Sequence, residues 1–218
     1  MADVNPVQDS DFDKLFELEA NKDAADGWSL HASGDGYETW VRKRNDEKLN
    51  LIKTYYHVKG VTRDQLYDLM FEPSLRRRFD TNMKEYRFVK EFAYHKILYT
   101  CVAMNVPLLA DRDFVVTHVP RKTPTESYVI NRQLETDLVP KVPGLVRGES
   151  IYSGFILRDV EGDETAASMC YFLQVNFKVP VPAHMVNSKA ADKPVAFMKR
   201  LQDFVTNVYA AELAAASG

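Results

Sequence analysis

The sequence predicts an α+β fold, with helices before, between and after the strands of an antiparallel sheet. The spacing of apolar residues changes along the chain between the helical period and the period of two that is typical of strands. Short turns such as Gly34-Asp35-Gly36 separate the period-two segments, as in hairpins. The 218 residues are 45% hydrophobic and contain no linker or internal repeat, so one core is feasible. We therefore expect residues 1–218 to form a single domain.

Three helices are expected before the last third of the chain. The first is capped by Asp9-Ser10 and ends within Asn21–Gly27, which gives a helix over about residues 10–24. Thr62 is the expected N-cap of the second helix, which ends at Phe71. Pro73 begins the third, which ends at about Phe79, because proline is well tolerated in a first helical turn.

Nine segments have the alternating pattern of strands. Three come before the middle pair of helices and six come after it. They are Trp28–His31, Tyr37–Arg44, Leu49–Val58, Tyr86–Phe92, Lys96–Met104, Arg112–Val119, Ser127–Leu134, Val146–Arg158 and Ala166–Val179.

The last segment is an amphipathic helix. It follows Pro180-Val181-Pro182, and we expect an interruption before Pro194. Spacing of i, i+4, i+7 and i+8 gives it one apolar face, which on periodicity alone indicates packing against the sheet. That face contains Phe197, Leu201, Phe204, Val205, Val208 and Tyr209.

Composition excludes several classes of protein. A formal charge of −3 argues against nucleic-acid binding, which selects a basic face. Cys101 and Cys170 lie in strand-like segments without metal-ligand spacing, so we expect buried, reduced thiols. The first residues lack the apolar segment of a secretory signal, Ala2 excludes myristoylation, and no apolar run is long enough to span a membrane. We expect a cytoplasmic monomer without metal or cofactor.

Four motifs in order resemble the START lipid-transfer family. Phe79-Asp80 follows two short helices, R-D-F-V begins at Arg112, V-P-G-L-V-R-G covers Val142–Gly148, and a C-terminal helix ends the chain. Phe79 stands where the family usually has tryptophan. The resemblance covers about residues 27–213, which we take as the domain core. The motifs are closest to the phosphatidylcholine-transfer members of the family.

The resemblance implies a helix-grip fold. A curved antiparallel sheet of about nine strands then wraps around the long C-terminal helix, with a lipid cavity between them. The expected function is carriage of one lipid, and a phospholipid is favoured over a sterol or ceramide. Transient contact with membranes follows from that function. The expected cavity wall consists of Cys101, Phe114, Phe155, Tyr171, Phe197, Leu201 and Val205.

Two strand faces are expected to line this cavity. Arg112, Phe114, Val116 and His118 share one face of their strand, and Ile97, Tyr99, Cys101 and Ala103 share one face of the preceding strand. Tyr99 and His118 are then its polar groups. The alternative for His118 is an exposed or hydrogen-bonded strand histidine without ligand contact.

Arg112 has a structural and a binding interpretation. The structural one is a buried ion pair with Asp80 or another carboxylate, and we favour it because this arginine looks structural within the family. In the other interpretation Arg112 contacts the head group.

Arg76 is the expected phosphate ligand. It occupies the place of the arginine that binds phosphate in the phosphatidylcholine-transfer members, and guanidinium suits that recognition. The alternative is that Arg76–Arg78 form a solvated basic helix end. Sterol-carrying members of the family have an acidic residue and an arginine near the sterol hydroxyl. The corresponding positions here are Tyr99 and His118, and neither matches, which argues against a sterol.

The choline-binding positions are less well matched. The tryptophan of the aromatic cage falls on Cys101, and its tyrosine falls on Phe114. A cage of ring faces around a quaternary ammonium therefore needs further aromatics from Tyr99, Tyr152, Phe155 or Tyr171.

We expect a carrier and not an enzyme. The five histidines lack metal-binding spacing, and neither a nucleophile elbow nor a P-loop is present. Related folds include hydrolases and cyclases, and a lipid-sensing scaffold domain is a third possibility. The expected gate is the V-P-L-L-A loop of Val106–Ala110, in particular Val106, Leu108 and Leu109, which close the cavity and insert into membranes during transfer.

Overall fold

The computed structural model describes residues 7–216. Within this range the chain forms six α-helices and ten strands in one sheet. The helices are α1 (Asp9–Ala20), α2 (Arg63–Phe71), α3 (Pro73–Phe79), α4 (Ala183–Ala190), α5 (Asp192–Phe204) and α6 (Ala210–Ala216). The strands are β1 (Trp28–Gly34), β2 (Tyr37–Arg42), β3 (Leu51–Lys59), β4 (Met83–Glu91), β5 (Lys96–Val102), β6 (Arg112–Lys122), β7 (Glu126–Gln133), β8 (Val146–Arg147), β9 (Glu149–Val160) and β10 (Asp163–Asn176).

Nine of the strands follow the order β1-β2-β3-β10-β9-β7-β6-β5-β4 and are antiparallel to their neighbours. The tenth, β8, is a two-residue strand parallel to β6. The prediction of one strand over Val146–Arg158 is therefore wrong, since the chain changes partner at Gly148. A β carbon at Gly148 would lie 2.3 Å from the ring of Phe114, so any larger residue at this crossing would require that ring to move.

The helix ends depend on local hydrogen bonds. Thr62 caps α2 as predicted, because its Oγ1 accepts from the Gln65 N–H and the Gln65 side chain accepts in return. The predicted cap of α1 is wrong by one or two residues. Gln8 is the N-cap, and its N–H donates to Asp11 at 2.9 Å. The helix ends at Ala20, and residues 24–26 form a separate 3₁₀ turn.

Each face of the sheet covers its own apolar cluster. On the outer face, α1 packs against the middle of the sheet through Phe12, Leu15 and Leu18. On the inner face, α2, α3 and α5 pack against the same strands. The two cysteines are free and buried, as predicted. The inner cluster includes Tyr56, Leu66, Met70, Phe71, Phe79, Val129, Phe155, Met169, Phe197, Met198, Leu201, Phe204 and Val205.

The C-terminal helix is interrupted twice. Ala191 separates α4 from α5, so Pro194 lies in the first turn of α5, and the predicted interruption is confirmed. A π-helical turn at Val205–Tyr209 then joins α5 to α6. The extra residue of a π turn rotates the apolar stripe. Val205 is consequently buried while Val208 is exposed, which the periodicity did not predict.

Candidate functional site

The register between β5 and β6 decides which side chains face the C-terminal helix. Lys96, Leu98 and Thr100 lie opposite His118, Val116 and Phe114, whereas Tyr99 lies opposite Val115. Directly opposed residues of an antiparallel pair project from the same face. Tyr99 and His118 therefore lie on opposite faces of the sheet.

The prediction that Tyr99 and Cys101 share a pocket with His118 is thus wrong. Both pack on the outer face with Ile97, Val115 and Val139. Periodicity predicted which residues within each strand lie on the same face of that strand. It did not predict which face of one strand matches which face of the next, because a shift of one residue exchanges the faces.

His118 is the centre of a buried polar chain on the inner face. Its Nδ1 lies 2.9 Å from the Asn131 side-chain oxygen, and the Asn131 amide nitrogen lies 3.4 Å from Ser153 Oγ. The rings of Phe71 and Phe88 lie 5.3 and 5.6 Å from the imidazole. Burial lowers the pKa of His118 to about 4, so the imidazole is neutral at pH 7 and keeps one nitrogen as an acceptor.

Asn131 and Ser153 were missed in the sequence. Each is one of several polar residues in its strand, and nothing in the order of residues links them. The sheet joins them, because His118 pairs with Asn131 and Asn131 pairs with Ser153 across adjacent strands.

Arg76 projects from α3 into the space between the sheet and α5. Its Nη2 lies 3.2 Å from Asp80, its guanidinium carbon lies 4.3 Å from the ring centre of Phe197, and its side chain is 12% exposed. Arg78, in contrast, donates to Glu212 at 2.9 and 2.6 Å and is partly exposed. The three arginines are therefore not equivalent, because Arg76 is largely buried between two rings, whereas Arg78 lies over the ring of Phe204 with its side chain 36% exposed.

The aromatic candidates for a choline cage also divide between the two faces. Tyr171 stacks on Phe155 with ring centres 4.4 Å apart on the inner face, and burial raises the pKa of Tyr171 to about 12. Tyr152 packs in the outer cluster beneath α1, as does its neighbour Phe172. Phe155 and Tyr171 are therefore the two cage candidates that lie on the inner side.

The remaining wall candidates lie on the inner side, with Cys101 as the exception already described. Phe114 lies on the same face of β6 as His118 and meets Phe177 edge-on, with ring centres 5.7 Å apart. Phe197, Leu201 and Val205 extend the inner cluster from the C-terminal helix.

Arg112 is buried, with 1% of its surface exposed, but its partners are not carboxylates. Its Nε donates to the Phe177 carbonyl at 2.7 Å, Nη2 donates to the Lys178 carbonyl at 3.3 Å, and Nη1 donates to the Ala110 carbonyl. The predicted ion pair with Asp80 is wrong, because Asp80 pairs with Arg76. Three loop carbonyls occupy the donors of Arg112, so its structural interpretation is the better supported one.

Several exposed apolar side chains lie on loops at one end of the sheet, where Arg112 binds the loop carbonyls. Val106 and Leu108 are exposed, and Leu109 is partly buried. The expectation that both leucines pack against the helix and close the cavity is therefore wrong for Leu108. Val142 and Val181, on the next two loops at this end, are also exposed.

A groove of about 730 Å³ opens in another part of the molecule. It lies against α1 on the outer side, and neither Arg76 nor His118 lines it. Among residues 7–216, no group of His, Cys, Asp or Glu side chains is arranged to hold a metal ion. None of the helices described in this range is long and apolar enough to cross a membrane.

The fold and the ordered motifs define a START domain, and the chain belongs to that family. The family model for the START domain matches residues 13–208. Mouse START domain-containing protein 10 is 25% identical over 200 residues, which are 91% of this chain and 67% of that protein.

Solved structures show the same fold. The crystal structure of human STARD10 matches 97% of this chain and 84% of its own, with a TM-score of 0.83 and 22% identity. Human StAR-related lipid transfer protein 5 matches 92% of this chain and 96% of its own, with a TM-score of 0.78 and 21% identity. The helix-grip architecture predicted from the sequence is confirmed.

Proposed function

We propose that this protein carries one phospholipid at a time between membranes, with the lipid held between the inner face of the sheet and α5. The observation that carries this proposal is Arg76, a largely buried guanidinium between the rings of Phe79 and Phe197. Asp80 balances the charge of this guanidinium, but the buried Nε of Arg76 has no hydrogen-bond partner among the described residues and remains available to an acceptor. A lipid phosphate is a partner of matching geometry and charge.

The apolar interior supports the rest of the ligand. Each acyl CH₂ removed from water contributes about 0.8 kcal/mol, so two acyl chains against the inner cluster provide the larger part of the affinity. We propose Phe155, Tyr171, Phe197, Leu201, Val205 and Phe114 as the wall.

A neutral lipid, a sterol or ceramide, is the second candidate ligand. The observation that favours it is the chain of His118, Asn131 and Ser153. A neutral imidazole nitrogen can accept a hydrogen bond from a lipid hydroxyl, and the Asn131 amide can serve a carbonyl or amide group. Under the phospholipid proposal, the same three residues contact the ester region.

Release of the lipid requires an opening at a membrane. We propose that the Val106–Ala110 loop inserts at that point, because Leu108 is fully exposed and Val142 and Val181 add apolar surface on neighbouring loops. Lys141, which is exposed on the loop that contains Val142, suits the anionic surface of a membrane.

Mass spectrometry of lipids extracted from the protein purified from cells tests the proposal. We expect one phospholipid class in the wild type and its loss in Arg76→Ala, which stays folded at the temperature of purification although its melting temperature falls because Asp80 loses its close partner. Arg77→Ala is the matched control, because Arg77 is the exposed neighbour on the same helix. Recovery of a sterol or ceramide in the wild type would overturn the phospholipid assignment while leaving the carrier function.

A further inference from the structure

A second arginine shares the carboxylate that holds Arg76. Arg200 projects from α5, and its Nη2 lies 3.8 Å from Asp80 Oδ1, whereas Arg76 lies 3.2 Å from Oδ2 of the same group. The Asp80 side chain is 9% exposed and the Arg200 side chain is 32% exposed. One buried carboxylate therefore links a guanidinium from α3 to a guanidinium from the C-terminal helix.

Both guanidinium groups have an unused donor. The Nε atoms of Arg76 and Arg200 are buried, and neither has a hydrogen-bond partner among the described residues. Buried donors are nearly always paired in folded proteins, and an unpaired one requires an explanation. The cluster of two arginines and one aspartate also has a net charge of +1. To be fully paired and neutral, the cluster needs further acceptor atoms and one more negative charge.

We propose that Arg200 is a second phosphate-positioning residue, which holds one lipid phosphodiester together with Arg76 between α3 and α5. This inference rests on the proposed phospholipid carriage and explains how the protein would select a phospholipid over a neutral lipid. A phosphodiester supplies two acceptor oxygens and a single negative charge, which is what the cluster lacks. A neutral lipid supplies no charge, so the excess positive charge stays in a largely buried place.

The two arginines differ in how firmly they are held. Phe197 covers the guanidinium of Arg76 at 4.3 Å, and Met70 Sδ lies 3.3 Å from its Nη1. Arg200 is more exposed and farther from Asp80. Arg200 is therefore the arginine that moves from Asp80 to the phosphate, and this movement couples head-group binding to the position of α5.

Equilibrium binding of two fluorescent lipids with the same labelled acyl chain tests the inference. One is phosphatidylcholine and the other is ceramide, which has no phosphate. We expect Arg200→Met to weaken phosphatidylcholine binding roughly tenfold to a hundredfold, as for loss of a charge-assisted hydrogen bond, without a change for ceramide. Arg200→Lys keeps the positive charge but lacks the paired donors of a guanidinium, so we expect it to retain part of the affinity for phosphatidylcholine.

Lys199→Met is the matched control, because it removes the same charge from an exposed neighbouring position on α5. Unchanged phosphatidylcholine binding by Arg200→Met would overturn the inference, and so would an equal loss for both lipids, which indicates a packing role. If Arg200→Met does not fold, the lipid selectivity of Arg200→Lys decides. Binding of ceramide but not of phosphatidylcholine by the wild type would overturn the proposed phospholipid carriage itself, and that result is seen before any variant is compared.

Discussion

Acid should destabilise this protein through His118, and the structure gives the size of the effect. Burial lowers the pKa of His118 from an ordinary value of 6.5 to about 4. Between these values the unfolded chain binds a proton that the folded protein excludes. Protonation therefore favours the unfolded state, and stability falls as the pH decreases through this window. At about 1.4 kcal/mol per pKa unit, the loss between pH 7 and pH 4 is about 3 kcal/mol.

Urea unfolding of the wild type and of His118→Gln at pH 7 and pH 4 measures this contribution. Glutamine keeps a polar group beside Asn131 and does not titrate. Other groups titrate in both proteins, so the difference in unfolding free energy between them isolates His118. We expect that difference to change by about 3 kcal/mol in favour of the variant at pH 4. His184→Gln, at an exposed position of α4, is the control.

An equal difference between wild type and His118→Gln at both pH values would refute the reasoning. It would mean that the imidazole titrates in the folded protein as it does in the unfolded chain. The contacts with Phe71 and Phe88 would then not exclude water from the site.

Two further predictions concern the loop end of the sheet. The double change Leu108→Asp and Leu109→Asp should slow lipid transfer between vesicles with little effect on the melting temperature. The control is Tyr94→Asp, on an exposed turn at the opposite end of the sheet, which should not slow transfer. Equal transfer rates for the two variants would exclude insertion of the Val106–Ala110 loop. Arg112→Met leaves three loop carbonyls without their donor, so the unfolding free energy measured in urea should fall by about 3 kcal/mol or more. A decrease below about 1 kcal/mol would mean that water replaces the guanidinium.

Local sequence patterns predicted the order and type of the elements well. Thr62 and Gln65 form a capping box because both lie within one helical turn, and Pro73 begins α3 for an equally local reason. The cap of α1 was misplaced by one or two residues, and the prediction of one strand over Val146–Arg158 failed at a contact that is distant in the chain. Gly148 separates β8 from β9 because Phe114 fills the space beside it.

The candidate site was predicted only in part. Arg76 was found because the motif around Phe79-Asp80 resembles that of the family, and the structure places it on the inner side. Asn131 and Arg200 were not found, because each becomes significant only through a partner far away in the chain. The position of a polar residue within its own strand or helix does not indicate which residue it contacts on another element.

The sequence by itself determined the order and type of most helices and strands, since these depend on spacing, caps and turns within a few residues. Tertiary structure alone decided that Tyr99 faces outwards and His118 faces inwards, because register is set by pairing between strands. It also decided that Arg112 serves loop carbonyls while Asp80 joins two helices. The physical reason is that a buried charge selects its partner from whatever the fold brings within a few ångströms.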